Sequence, residues 1–168
     1  SANSVAADDT NSLRYGMRTN GKSGFVFVNH YQRLTELADI ENAVISAENV
    51  EFPPIDVKGE VSFFMPFNMK MGDSVLEYAT AQPLCKCGET YFFAEIPNIK
   101  AEYKFSKGSA NIVTVPFENA KYMRKLNGTV YIGGGCNLYE ENGQIHSVED
   151  GEYICQKWNG SEFETVKI

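Results

Sequence analysis

The sequence predicts a mainly β fold, an antiparallel β-sandwich or barrel-like domain with one short helix. Three observations point there. Apolar and polar residues alternate, as where Leu13, Tyr15 and Met17 interleave with Arg14, Gly16 and Arg18. Strand-like runs are short and closely spaced, and turn signals separate them. Asn-Gly, which favours the positive φ angles of tight hairpins, recurs between such runs.

The first run, ending near Met17, leads through Thr19-Asn20-Gly21-Lys22 into Phe25–Asn29, which predicts a hairpin. Further strands are expected at Val61–Phe64, Val75–Tyr78, Thr90–Ala94, Ala101–Phe105 and Asn111–Val115, then at Thr129–Ile132, Glu152–Cys155 and Phe163–Val166. Turn residues at Pro53-Pro54, Gly72-Asp73, Gly88, Gly108, Asn142-Gly143 and Asn159-Gly160 punctuate them. One stretch departs from period two. Phe117–Leu126 places Ala120, Met123 and Leu126 near one helical face, with acid at its start, base at its end and Asn127-Gly128 as a stop. It predicts a short helix feeding a strand.

The chain has 168 residues, 43% hydrophobic and 22% charged, enough for one sizeable core. Residues 13–168 are therefore expected to form a single all-β domain, and the small, polar residues 1–12 a linker or vector-derived tail. The length excludes a (β/α)8 barrel, which needs roughly 250 residues. A net charge of -7 argues against nucleic acid as a partner. No apolar stretch approaches the ~20 residues of a membrane span, and no signal peptide is visible, so a soluble domain without a membrane partner is expected.

Few motifs carry chemistry. Gly16–Ser23 matches the phosphate-loop pattern G-x-x-x-x-G-K-S, but the β-branched and aromatic run after it is no helix, so a hairpin is expected. His30 and His146 lack metal-ligand spacing, and no G-x-S-x-G elbow is present. His30 reads as a strand-end histidine. Cys85, Cys87, Cys136 and Cys155 read as free thiols, with a Cys136–Cys155 disulfide or a metal as the less favoured readings. Glu36, Glu41, Glu48, Glu51, Glu60, Glu77, Glu95 and Glu102 are scattered, and no general-acid and nucleophile pair stands out. Trp158 is the aromatic expected to be exposed and able to stack on a sugar ring. Asn127-Gly128-Thr129 and Asn159-Gly160-Ser161 match the glycosylation sequon but read as turns. No metal or cofactor is expected.

Two segments resemble a known family. Arg18–Arg33, with Asn20-Gly21, Gly24-Phe25, Phe27, Asn29 and Tyr31-Gln32-Arg33, is similar to the NG-x-x-GF-x-F-x-N-x-YQR hairpin of family 35 glycoside hydrolases, the β-galactosidases. Phe63-Phe64-Met65-Pro66-Phe67-Asn68 and Tyr78-Ala79-Thr80-Ala81-Gln82-Pro83-Leu84 resemble the FF-x-PFN and YATAQPL stretch of the same all-β region, and Thr90–Pro97 also fits. The resemblance runs from about Leu13 to Tyr139. It implies an accessory β-domain that follows a catalytic barrel, packs against it and supports it. The family's catalytic glutamates sit on that barrel, one of them after an asparagine, and no such segment occurs here. No catalytic residue carries over. The implied partners are the (β/α)8 barrel of the same full-length chain and galactosides. An independent module binding galactose-containing glycans through Trp158 is the alternative. A small hydrolase using His30 or a carboxylate pair is the weakest reading. The apolar run Phe63–Phe67 with Met69 and Met71 is the expected candidate for a face that meets the barrel.

Overall fold

A computed structural model describes residues 5–168. The chain is mainly β, with eighteen strands and one helical turn among the described residues. The first strands are β1 (Tyr15–Thr19), β2 (Gly24–His30), β3 (Ile40–Ala43), β4 (Ser46–Ala47), β5 (Val50–Glu51) and β6 (Ile55–Val57). There follow β7 (Val61–Met71), β8 (Ser74–Ala79), β9 (Gln82–Cys87), β10 (Thr90–Ala94), β11 (Tyr103–Lys107) and β12 (Asn111–Val115). After α1 (Phe117–Ala120) come β13 (Met123–Leu126), β14 (Thr129–Gly133), β15 (Leu138–Glu141), β16 (Gln144–Ser147), β17 (Ile154–Trp158) and β18 (Phe163–Lys167). None of the sheets closes into a barrel among the described residues; the architecture is sandwich-like.

Where the sequence suggests one domain over 13–168, contacts group the chain into two compact units. Unit 1 comprises the chain up to Pro83 together with Glu95–Ala110; unit 2 comprises Leu84–Ala94 and Asn111–Ile168. Residues 1–4 of the expected tail lie outside the described residues. The rest of it is tied down. A hydrogen bond from the Ser12 side chain, together with the N–H groups of Asn11 and Ser12 that the carboxylate accepts, holds the Asp9 pKa below the ordinary value. Arg14 donates to the Asp9 carbonyl at 2.8 Å, and Gln32 to that of Ala7 at 3.0 Å.

Unit 1 is built on a five-stranded sheet in the order β1-β2-β7-β8-β11, all neighbours antiparallel. Alternation sorts its side chains. Val26 and Val28 of β2 and Phe63, Met65 and Phe67 of β7 are buried and join Ile45, Phe52, Ile55, Val57 and Ile96 in one core. The run Phe63–Met71 is thus not an exposed strip: Phe63, Met65, Phe67 and Met71 face inward, and Phe64 and Met69 are half-buried. The tight spot in the first hairpin is Gly24, where a Cβ would sit 1.9 Å from the Arg18 carbonyl oxygen.

Unit 2 holds a four-stranded sheet β13-β14-β17-β18, a three-stranded sheet β12-β10-β9 and the β15-β16 hairpin. One pairing departs from the antiparallel expectation: β10 and β12 run parallel, from Thr90↔Asn111 to Ala94↔Val115. A parallel pair needs a long crossover, and here residues 95–110 supply it, delivering β11 to the unit 1 sheet on the way.

The helix expected over Phe117–Leu126 shrinks to a four-residue turn after Pro116, and Met123–Leu126 is a strand. The reason lies in Asn127-Gly128. Both residues take positive φ, 51° and 80°, and Leu126 faces Thr129, so the pair makes a two-residue hairpin turn rather than a helix stop. Asn142-Gly143 does the same between β15 and β16, with φ of 52° and 78°. Asn20-Gly21 and Asn159-Gly160 do not. In each only the glycine has positive φ, and the loop is four residues long. The Asn20 side-chain oxygen accepts the N–H groups of Lys22 and Ser23, and that of Asn159 accepts those of Ser161 and Glu162. In both loops that asparagine organises the turn through its side chain.

Candidate functional site

The phosphate-loop match is a hairpin: Gly16 lies within β1, Asn20–Ser23 form the turn and Gly24 opens β2. No helix follows to present N–H groups to a phosphate.

Trp158, expected as an exposed platform, is buried at 7% exposure. It ends β17 at Phe163, the first residue of β18, and packs edge-on to Phe92 and Phe163 with ring centroids 5.1 and 5.2 Å away. Both neighbours belong to the core it shares with Val115, Met123, Val130 and Ile132. Sequence position beside an Asn-Gly turn suggested exposure, but Trp158 lies on the strand face opposite Cys155 and turns into the cluster of Phe92, Val115, Met123, Val130 and Ile132.

The resemblance segments meet in unit 1. β2 and β7 pair from Gly24↔Phe67 to His30↔Val61, so the GF-x-F-x-N and FF-x-PFN stretches are register neighbours. Their alternate side chains make the sheet's second face. There Phe27 stacks on Phe64 with centroids 5.8 Å apart, and Phe25 meets Phe64 edge-on at the same separation. The Arg18 guanidinium lies 5.7 Å from the Phe27 ring centroid. Asn29 and Ser62 continue this face through a 2.9 Å hydrogen bond donated by Ser62. Phe27 is 40% exposed. Asn68, at φ 49°, donates to the Lys22 carbonyl at 2.8 Å and so holds the β1–β2 turn.

The YATAQ segment is structural as well. Thr80 is buried; its hydroxyl donates to the Lys100 carbonyl at 2.7 Å and accepts the Glu102 N–H at 2.8 Å. Gln82 accepts the Phe64 N–H at 3.1 Å through its side-chain oxygen.

Of the two histidines, His146 stacks on its cross-strand partner Tyr139 at 5.4 Å. His30 is 1% exposed on the core side of β2. It lines a cleft of ≈ 570 Å³ with Tyr31, Leu34, Glu36, Asp39 and Glu60 among others. Glu36 and Glu60 thus share one cleft although 24 residues separate them, and Asp39, not singled out by sequence, joins them. Elsewhere Glu77 pairs with Lys104 at 2.7 Å, which raises the lysine's pKa. Glu102 sits 4.0 Å from Lys100. A second cleft of ≈ 240 Å³ runs past Asn42, Asp56, Thr80, Asn98 and Glu102.

All four cysteines are free thiols, and all lie in unit 2. Burial pushes the thiols of Cys85 and Cys155 above the ordinary value. A hydrogen bond with Cys136 is the main cause that pushes the Tyr153 hydroxyl up to about 12. No group of three His, Cys, Asp or Glu residues that could hold a metal ion occurs among the described residues. Nor is any described helix long and apolar enough to cross a membrane.

Comparison with known proteins returns no matching family model, no matching curated protein and no matching solved structure.

Proposed function

We propose that this chain is an accessory, non-catalytic β-domain of a family 35-like β-galactosidase, supporting the catalytic (β/α)8 barrel of the same full-length protein. One observation carries the reading. Two of the family-like stretches, separated by more than thirty residues, lie side by side in one sheet, with a buried row on one face and on the other an aromatic row in which Phe25 and Phe64 are half-buried and Phe27 is exposed. The buried row, Val26, Val28, Phe63, Met65 and Phe67, accounts for folding. The outward row, Phe25, Phe27 and Phe64 with Arg18, is the surface this reading assigns to the barrel. That choice replaces the Phe63–Met71 strip, most of which is core. Aromatic residues and arginine are the types enriched where protein surfaces dock.

Two results test it. The isolated chain should give no turnover of a chromogenic β-galactoside; turnover abolished by changing His30 or a single glutamate would overturn the reading. In a full-length chain carrying this domain, Phe27→Ser should destabilise the assembled enzyme while leaving the isolated domain folded.

The alternative, a module gripping galactose-containing glycans through Trp158, loses its named residue, because both flanking aromatics already occupy the ring's surroundings.

A further inference from the structure

Strand β14 ends at Gly133, and the chain reverses over two further glycines. Gly135 takes a φ of 109°, and nothing lies within 4 Å of the position a Cβ would occupy there. The reversal lays Cys136 back over the strand it has just left. A Cβ on Gly133 would sit 2.0 Å from the Cys136 carbonyl oxygen and 3.4 Å from the Leu138 side chain. Gly133 is also the register partner of Cys155 on β17. Residues directly opposite in an antiparallel pair point to the same face, with Cα atoms about 4.5–5.5 Å apart. Cys136 therefore fills the space that Gly133 leaves empty, beside the Cys155 side chain.

The side chains agree with the backbone. Cys136 and Cys155 share one buried cluster with Tyr131 and Leu138, and Tyr153 packs against it. Burial first, and then electrostatic repulsion by Cys136, push the Cys155 thiol up. Tyr153 hydrogen-bonds with Cys136. Both thiols are free, and no group of three metal-ligating side chains occurs among the described residues, which leaves thiol chemistry. The other two cysteines lack this geometry. Cys85 and Cys87 are two residues apart along β9. An extended strand holds such Cβ atoms about 6.6 Å apart, where a disulfide needs about 3.5–4.5 Å.

We infer that Cys136 and Cys155 are a redox pair, held as the dithiol in this structure and closed to a disulfide by hydrogen peroxide, which ties the β15–β16 hairpin to β17. Gly134 and Gly135 give a small oxidant a path to Cys136, which is 6% exposed against 2% for Cys155. The Cys136 thiolate attacks one peroxide oxygen. The O–O bond breaks, and the departing hydroxide takes the proton the thiol shed, leaving a sulfenic acid and water. The Cys155 thiolate then attacks that sulfur. The S–S bond forms, the S–O bond breaks, and the second hydroxide leaves as water with the Cys155 proton. The sulfurs give up two electrons, and one peroxide becomes two waters. The closed ring encloses residues 137–154, and so the whole hairpin. This pair is independent of the architectural role proposed above, and failure of either leaves the other standing.

The test treats the folded 168-residue chain with hydrogen peroxide and alkylates the remaining thiols with N-ethylmaleimide in denaturant. Intact mass and a non-reducing peptide map are the readouts. Of the four thiols, two should remain for alkylation, with the Cys136 and Cys155 peptides joined, and dithiothreitol should restore all four. Amides of β15 and β16 should exchange roughly tenfold more slowly in the oxidised chain. Cys155→Ser should stop at a Cys136 sulfenic acid that dimedone traps. The proposal is overturned if all four thiols survive, if the bridge joins any other pair, if it forms no faster in the folded chain than in urea, or if hairpin exchange is unchanged.

Discussion

The two units solve the same β-sheet problem with different materials. Unit 1 gathers Val, Ile, Phe and Met of β2, β7 and the strands between them into a large core cluster, and it contains no cysteine. Unit 2 divides its interior into an aromatic cluster around Trp158 and a second cluster of Tyr131, Cys136, Leu138 and Cys155. Unit 1 holds aliphatic and aromatic bulk, whereas unit 2 carries every thiol and the single tryptophan, so tryptophan fluorescence reports on unit 2 alone.

The sharpest way to break this comparison is to empty each core in turn. Phe67→Ala in unit 1 and Trp158→Ala in unit 2 should each cost about 3–5 kcal/mol, the usual loss for a buried aromatic. Urea denaturation followed by circular dichroism measures both. A loss below about 1 kcal/mol for Trp158→Ala would mean that the ring is not the core element described here.

Thr80→Val probes the family-like segment of unit 1. It strips the Lys100 carbonyl and the Glu102 N–H of their shared hydroxyl, and a loss of about 1–3 kcal/mol is expected from the same denaturation. Neutrality would show that water replaces the hydroxyl there. The paired turn types give a smaller contrast. Gly128→Ala forces a Cβ into the left-handed region at φ 80° and should cost about 1–2 kcal/mol. Asn20→Ala removes only a side-chain acceptor in an exposed loop, and a loss near 0.5–1.5 kcal/mol is expected.

The last prediction is a slope with pH rather than a step. The thiols of Cys85 and Cys155 and the Tyr153 hydroxyl all have folded-state pKa values above their ordinary ones, which are 9.0 for the thiols and 10.0 for the tyrosine. The folded state therefore holds these protons more tightly than the unfolded chain. Their contribution is fully present below pH 9.0 and fades as pH rises, with Tyr153 releasing its proton only near 12. Trp158 fluorescence should show the unfolding midpoint of unit 2 falling as pH climbs past 9. A midpoint flat to pH 11 would contradict that assignment.

How much of this was legible in the sequence follows from how local each signal is. Alternation placed β1, β2, β8, β10, β12 and β18 because a half-buried strand writes its burial into neighbouring residues. It misread Met123–Leu126 because Ala120, Met123 and Leu126 also fit a helical face, and only pairing with β14 decides between the two. Asn-Gly marked four of the hairpin turns, yet the turn type depended on what the asparagine side chain found two and three residues later. Trp158 was misplaced for the same reason: its burial is set by Phe92, 66 residues upstream. The His30 cleft was not readable, since Glu36, Asp39 and Glu60 meet only once the 31–39 turn folds beside Gly59. The strand-end position of His30 was readable; its burial was not.

The claim that this domain serves architecture is tested most directly by calorimetry on a longer parent chain containing a barrel, wild type against Phe27→Ser. The account predicts a lower melting temperature for the barrel transition, while the isolated 168-residue domain melts within about 1 kcal/mol of its parent. Identical barrel transitions in the two proteins would contradict it.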